Sequence, residues 1–240
     1  MKRLIAISIS FLMLTPLLGM GGGQAIVVKH KAASGSITHI QSCYNRLGGS
    51  SYATVVTDTC SSAIGAGNVL WMCVENFGTA MPSLTITGDT GTFVPTLSNY
   101  VNNSNASTCW YTLSASGGET SITVTAPGGM SYPYIMLEEF HCSPACSADT
   151  HDSGNTGNSS TATSNSITPA QNNELLLGYG SSATGCYPAF TPTSGWNLGS
   201  TIGYVGSLEY QIQATAAPVT AGFTMNCSTF WQAHIVSIKQ

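Results

Sequence analysis

The sequence predicts an all-β protein, a two-sheet antiparallel β-sandwich of jelly-roll or Greek-key type stapled by disulfides, and three observations carry that expectation. Short β-type runs recur between clusters of Gly, Ser, Asn and Pro, and no stretch sustains a helical period. Several runs alternate apolar with hydroxyl residues, the pattern of a strand with one face in a core and one in water. Eight cysteines all lie beyond an apolar N-terminal run, an even number that suits four cross-links in an exported chain.

The chain opens with Met1-Lys2-Arg3, continues with an apolar run over residues 4–18, and turns small and flexible from Gly19 to Ala25. Charged start, apolar centre and small residues before a cut describe a signal peptide over residues 1–25. Cleavage after Ala25 fits the small-x-small rule, with a cut nearer Gly19 as the alternative. At about 15 residues, interrupted by Pro16, the run is short of the roughly 20 that a membrane span needs. Met20 stands where a lipoprotein signal would place its cysteine. The expectation is a soluble mature protein, secreted or at the cell surface. Residues 26–36, with Lys29, His30 and Lys31, read as a leader or first edge segment, and residues 37–240 as a single sandwich domain.

Within that domain residues 69–74 (Val-Leu-Trp-Met-Cys-Val) are apolar at every position and predict a central strand covered on both faces. Residues 84–87 and 121–125 alternate and predict half-buried strands. Residues 132–141 form another, with Glu139 and His141 on one face and Glu138 and Phe140 on the other. Residues 143–168 are almost entirely Ser, Thr, Asn, Gly, Asp and Ala, and read as a long exposed polar loop. Residues 208–214 interleave Leu208, Tyr210, Ile212 and Ala214 with Glu209, Gln211 and Gln213, giving one apolar face and one carboxylate-amide stripe. Residues 231–238 close the domain as a strand in the middle of a sheet.

Charged residues make up 7% of the chain, against about 25% in an average globular protein. After the leader's own Lys29 and Lys31, only Arg46 and Lys239 remain as fixed cations. No basic stripe exists to neutralise phosphates, which argues against nucleic acid or anionic lipid as partner.

Cys43, Cys60, Cys73, Cys109, Cys142, Cys146, Cys186 and Cys227 are all read as disulfide staples, and spacing singles out only the pair Cys142 and Cys146. His141, these two cysteines, Asp149, His151 and Asp152 have donors suited to zinc, but an oxidising compartment favours a small disulfide loop. Asp149, Asp152, Asn155 and Asn158 lack the spacing of a calcium loop. No metal and no cofactor is expected. No Gly-x-Ser-x-Gly elbow is present, and the even cysteine count leaves no spare thiol for a nucleophile. Glycoside hydrolysis needs two carboxyl groups flanking a sugar, and Glu138, Glu139 and Glu209 are the candidates. The first two are neighbours on a strand and point apart, so either would have to meet Glu209 from another strand. Asn102, Asn105, Asn158 and Asn226 match the glycosylation acceptor pattern, which a bacterial chain, as the short signal peptide hints, would leave unused.

Sugars stack on exposed rings and exchange hydrogen bonds with amides, while their hydroxyls donate to carboxylates. Tyr187, Trp196 and Tyr204 sit in turn-rich segments, and with Glu209 and Gln211 they form the expected contact set, whereas Trp71 and Trp231 read as core.

The strings Ala66-Gly67-Asn68-Val69-Leu70-Trp71, Thr168-Pro169-Ala170-Gln171-Asn172-Asn173-Glu174-Leu175-Leu176-Leu177-Gly178 and Ser194-Gly195-Trp196-Asn197-Leu198 resemble a diffuse group of secreted bacterial and phage-associated β-sandwich domains without an assigned activity. The resemblance spans residues 37–239 and implies a jelly-roll-like sandwich, with no catalytic residues to carry over. The first functional expectation is therefore a secreted, non-catalytic module that binds glycan or another protein. A secreted carbohydrate-active hydrolase using paired glutamates is the alternative, and a self-associating coat, filament or matrix subunit is the second alternative.

Overall fold

The computed structural model describes residues 35–46, 52–103, 105–183, 189–202 and 205–240, and Gly35–Gln240 form one folded unit. The expected signal peptide and most of the expected leader lie outside the described residues. The strands run in the order β1 (Ser36–Arg46), β2 (Ala53–Thr59), β3 (Val69–Asn76), β4 (Thr85–Thr87) and β5 (Val94–Asn102). They continue with β6 (Asn105–Thr112), β7 (Ser121–Met130), β8 (Tyr134–Ser143), β9 (Ser147–His151) and β10 (Asn155–Thr163). The last are β11 (Glu174–Ser182), β12 (Phe190–Pro192), β13 (Asn197–Ile202), β14 (Gly206–Gln213) and β15 (Gly222–Lys239). Every pairing is antiparallel, and no helix occurs among the described residues.

The all-β sandwich is present, built from three sheets where two were expected. A central sheet has the order β1-β8-β3-β6-β5, a small sheet β2-β7-β4, and a large sheet β10-β15-β11-β14-β13 with β9 and β12 also paired to β15. The first eight strands divide between the central and small sheets, and the last seven all belong to the large one. The continuous apolar run in β3 has its cause here. Leu70, Met72 and Val74 face the small sheet with Ile122 and Val124, while Trp71 and Cys73 face the large sheet with Leu177, Tyr179 and Val236. A strand buried on both faces needs apolar residues at every position, and each such side chain contributes about 1.5–3 kcal/mol of burial.

The segment expected as a long polar loop is mostly strand. β9 and β10 add to β15, where Asn155 to Thr163 follow it from Ala233 back to Gly222. An added strand is held by backbone hydrogen bonds and needs little apolar surface of its own, so the hydroxyl-rich composition hid it. Gly157 has a steric reason: a β-carbon there would meet the indole of Trp231, which donates to Ser159 Oγ at 2.9 Å.

Cys43–Cys60, Cys73–Cys109 and Cys142–Cys146 are disulfides. The first joins β1 to the end of β2 and so ties the central sheet to the small one. Cys227 is also disulfide-bonded, and Cys186 lies outside the described residues. No helix among them is long and apolar enough to cross a membrane.

Candidate functional site

The three candidate glutamates are fully buried, and they lie in three different layers. Glu138 points between the central and large sheets. Its Oε1 accepts from the backbone N–H of Ser200 and from Ser200 Oγ at 2.6 Å, and its Oε2 accepts from Ser42 Oγ at 2.7 Å. His39 Nε2 lies 2.7 Å from the same oxygen, with its ring stacked 4.6 Å from that of Tyr210. Glu139, the next residue on β8, points to the small-sheet side. It accepts from Gln41 Nε2 at 2.6 Å, Gly65 N at 2.7 Å and Asn68 Nδ2 at 2.5 Å.

Glu209 sits on the outer face of the large sheet, because its neighbours Leu208 and Tyr210 on β14 face inward. A β-carbon on Gly178 would lie 2.7 Å from Glu209 Cγ, so the glycine makes room for the carboxylate. Its Oε1 accepts from Gly222 N at 2.7 Å, its Oε2 has no well-formed partner, and burial pushes its pKa up to about 8. A sheet separates Glu209 from Glu138, and two sheets separate it from Glu139. The paired carboxylates expected for a hydrolase are not formed.

The expected contact set is brought together only in part. Trp196, Glu209 and Gln211 share the outer face of the large sheet, but Trp196 is 8% exposed and packs on Ile167, Leu176, Ala221 and Ile235. It plugs the edge of a small outer core instead of offering a platform. Glu209 is fully buried beside Gly178 and Gly222, and Gln211 is half-buried. The expected carboxylate-amide stripe is thus covered, while Ile212 on the supposed apolar face is 45% exposed. Tyr187 and Tyr204 lie outside the described residues.

Several of the residues weighed for a metal are committed elsewhere. Cys142 and Cys146 are oxidised together, His141 Nδ1 lies 3.0 Å from Asn68 Oδ1, and Asp149 meets Lys239 Nζ at 3.3 Å. Among the described residues no group of three or more metal-ligating side chains converges. Asn105 of the acceptor pattern is buried among Glu75, Ser181 and Gln232, out of reach of a modifying enzyme in the folded chain.

Sequence reasoning missed one constellation. Asp152 Oδ1 is hydrogen-bonded to His234 Nδ1, and His234 Nε2 lies 3.1 Å from Thr96 Oγ1. Thr96 is the extra residue of a β-bulge between Pro95 and Leu97, which re-aims its side chain. Burial pulls His234 below the usual imidazole range despite Asp152 beside it. Hydrogen bonds from His234, Ile235 and Asn165 hold Asp152 low against its own burial. A carboxylate orienting an imidazole toward a hydroxyl is the order of a nucleophile relay. Here His234 is fully buried, Thr96 and Asp152 are nearly so, and Thr96 Oγ1 also donates to Cys109 O at 3.4 Å. The relay joins β5 to β15 across the layer and works as a structural tie. No sequence spacing announces it, since its members are 138 and 82 residues apart.

Comparison of the chain with protein-family models, with curated proteins and with solved structures finds no match.

Proposed function

We propose that this chain is an exported, non-catalytic extracellular module that binds glycan or another protein surface. One observation carries the reading. The carboxylates suited to acid, base or nucleophile chemistry are enclosed in separate layers and taken up by structural hydrogen bonds. What the described surface offers is hydroxyls, amides and scattered rings, including Tyr44 at 58%, Tyr52 at 57% and Tyr132 at 50% exposure. Such a surface recognises by stacking and neutral hydrogen bonds. The disulfides support an oxidising compartment, and the likeness to secreted bacterial and phage-associated sandwich domains fits the same reading.

The test is a glycan array probed with the oxidised chain from Ile26 onward, with product analysis of every glycan retained. Retention without cleavage is the expected result. Product formation would overturn the non-catalytic reading. A blank array together with concentration-dependent light scattering would transfer the assignment to a structural subunit that assembles with itself.

A further inference from the structure

The central sheet is five strands wide and the small sheet three, and β2 of the small sheet packs over β1 and β8 at one side. At the other side the edge strand β5, with Pro95 and Ser98 exposed, and Trp110, the one partly exposed residue of β6, form a shelf. Trp110 lies on this face, because its neighbour Cys109 points the other way into the disulfide with Cys73. The indole packs against the core between the two sheets and also lines a surface cavity of about 270 Å³. Pro95, directly opposite Trp110 on the edge strand β5, continues the shelf. Met81, Pro82 and Leu84 form the facing wall, and Ser98 and Thr108 contribute hydroxyl side chains. Among the described residues no ionisable side chain lines the cavity.

We propose that this shelf is a subsite for one ring of a neutral glycan, stacked on the Trp110 indole. The proposal rests on the binding-module reading and names the ligand class and the place. A charged ligand would lose its hydration without meeting a counter-charge, which this lining does not supply. A sugar ring has an apolar C–H face that suits an indole and proline rings, and an edge of hydroxyls that suits Ser98, Thr108 and water. The cavity, at about 270 Å³, falls just below the range of about 300–1,000 Å³ usual for small-molecule sites, the size of a single ring with the rest of the chain running over the surface.

Trp110 also supplies its own reporter. Of the four tryptophans, Trp71, Trp196 and Trp231 are buried and Trp110 alone is partly exposed. Acrylamide quenching of the oxidised chain therefore reads Trp110, and titration with neutral gluco-, manno-, galacto- and xylo-oligosaccharides should protect it. Trp110→Ala should weaken the retained oligosaccharide by at least about tenfold, with Trp110→Phe in between, as expected for truncating and then partly restoring a stacking anchor. Because Trp110→Ala also removes core packing, Ser98→Arg provides a second variant, filling the mouth from an exposed position and leaving the indole in place. It should block binding to a similar degree with unchanged thermal unfolding. Oligosaccharide binding that survives both variants, with quenching unprotected, would overturn the subsite and leave the module reading intact. Failure of the native chain to bind any neutral oligosaccharide would remove the subsite together with the glycan reading.

Discussion

The two layers that flank the central sheet are built differently. The layer under the small sheet is closed by strands that alternate along the chain, and its core is mostly apolar, Val56, Ile122, Val124 and Met130 against Leu70, Met72, Ile135 and Leu137, with the Glu139 assembly and Asp58 as its buried polar groups. The layer under the large sheet joins the first eight strands to the last seven, and three polar assemblies cross it. These are Asp152–His234–Thr96, Glu138 with Ser200 and His39, and Glu75 with Tyr179, Ser107 and Asn105. Apolar faces tolerate sliding, whereas a buried hydrogen-bonded group is satisfied in one register only. The comparison teaches that the interface between the two halves of the chain is aligned by three polar ties, and the interface within the first half by apolar pattern, a disulfide and the Glu139 assembly.

The largest effect that could break this comparison comes from the Asp152 tie. Asp152→Ala would leave His234 Nδ1 and the N–H groups of Ile235 and Asn165 without their acceptor in a dry layer. A loss of about 3–5 kcal/mol is expected, since buried donors lose their acceptor at a cost of about 1–3 kcal/mol each. Urea unfolding of the oxidised chain measures it. A loss under about 1 kcal/mol would mean that the two halves are aligned by their apolar contacts after all.

The same contrast decides what could be read from the sequence. The first layer was legible in its strands: residues 69–74, 121–125 and 132–141 were found from period and apolarity, and the opposed faces of Glu138 and Glu139 follow from adjacency on one strand. The pair Cys142 and Cys146 followed from spacing. The large sheet was legible only where it is apolar. β9 and β10 carry Ser, Thr, Asn and Gly, because a strand added along a partner's backbone needs no hydrophobic face, and composition reported a loop. The polar ties were not legible at all, since Thr96 and His234 lie on separate apolar strands whose register only the folded chain supplies. Turn chemistry made Trp196 look exposed, and no pattern in the sequence singles out Trp110. Where the cover of a sheet ends decides both, and that is a property of sheet widths.

The carboxyl groups give a smaller effect of opposite sign. In the apolar layer Asp58 is fully buried without a well-formed hydrogen bond to either oxygen. Burial pushes its pKa up to about 7, with the Thr59 backbone opposing and the charge of Glu138 adding to the rise. Burial likewise lifts Glu75 to about 8, against its hydrogen bond from Tyr179. The unfolded chain ionises these groups near their ordinary values, so between about pH 4 and 8 the native state holds more protons than the unfolded state. Stability is therefore highest near the acidic end of that window, falls as pH rises through it, and levels off above the folded pKa values. Asp152 acts in the other direction, because its pKa is lowered and its contribution fades as pH drops below the ordinary carboxylate range. Asp58→Asn should flatten the decline between pH 5 and 7 by about 2 kcal/mol in urea unfolding. Its absolute stability at pH 5 should be lower, since an amide there meets no partner. An unchanged slope would show that Asp58 is not the group titrating in that window.

The smallest effect sharpens the comparison on the side of the polar layer. Tyr179 on β11 is fully buried, donates to Glu75 Oε1 at 2.7 Å, and shares a 2.6 Å hydrogen bond with Ser107 Oγ on β6. Ser107→Ala removes one of two partners and leaves the phenol still joined to Glu75, so a loss of about 1 kcal/mol is expected. The variant also separates two kinds of tie. If alignment depends on each buried polar group being satisfied, Ser107→Ala combined with Asp152→Ala should cost the sum of the two single losses, because the assemblies share no partner. If the layer aligns as one cooperative unit, the second substitution should cost clearly less than it does alone. The double-mutant cycle measured by urea unfolding distinguishes them: additivity within about 0.5 kcal/mol means independent pins, and a larger shortfall means that losing either one already frees the whole interface between the two halves of the chain.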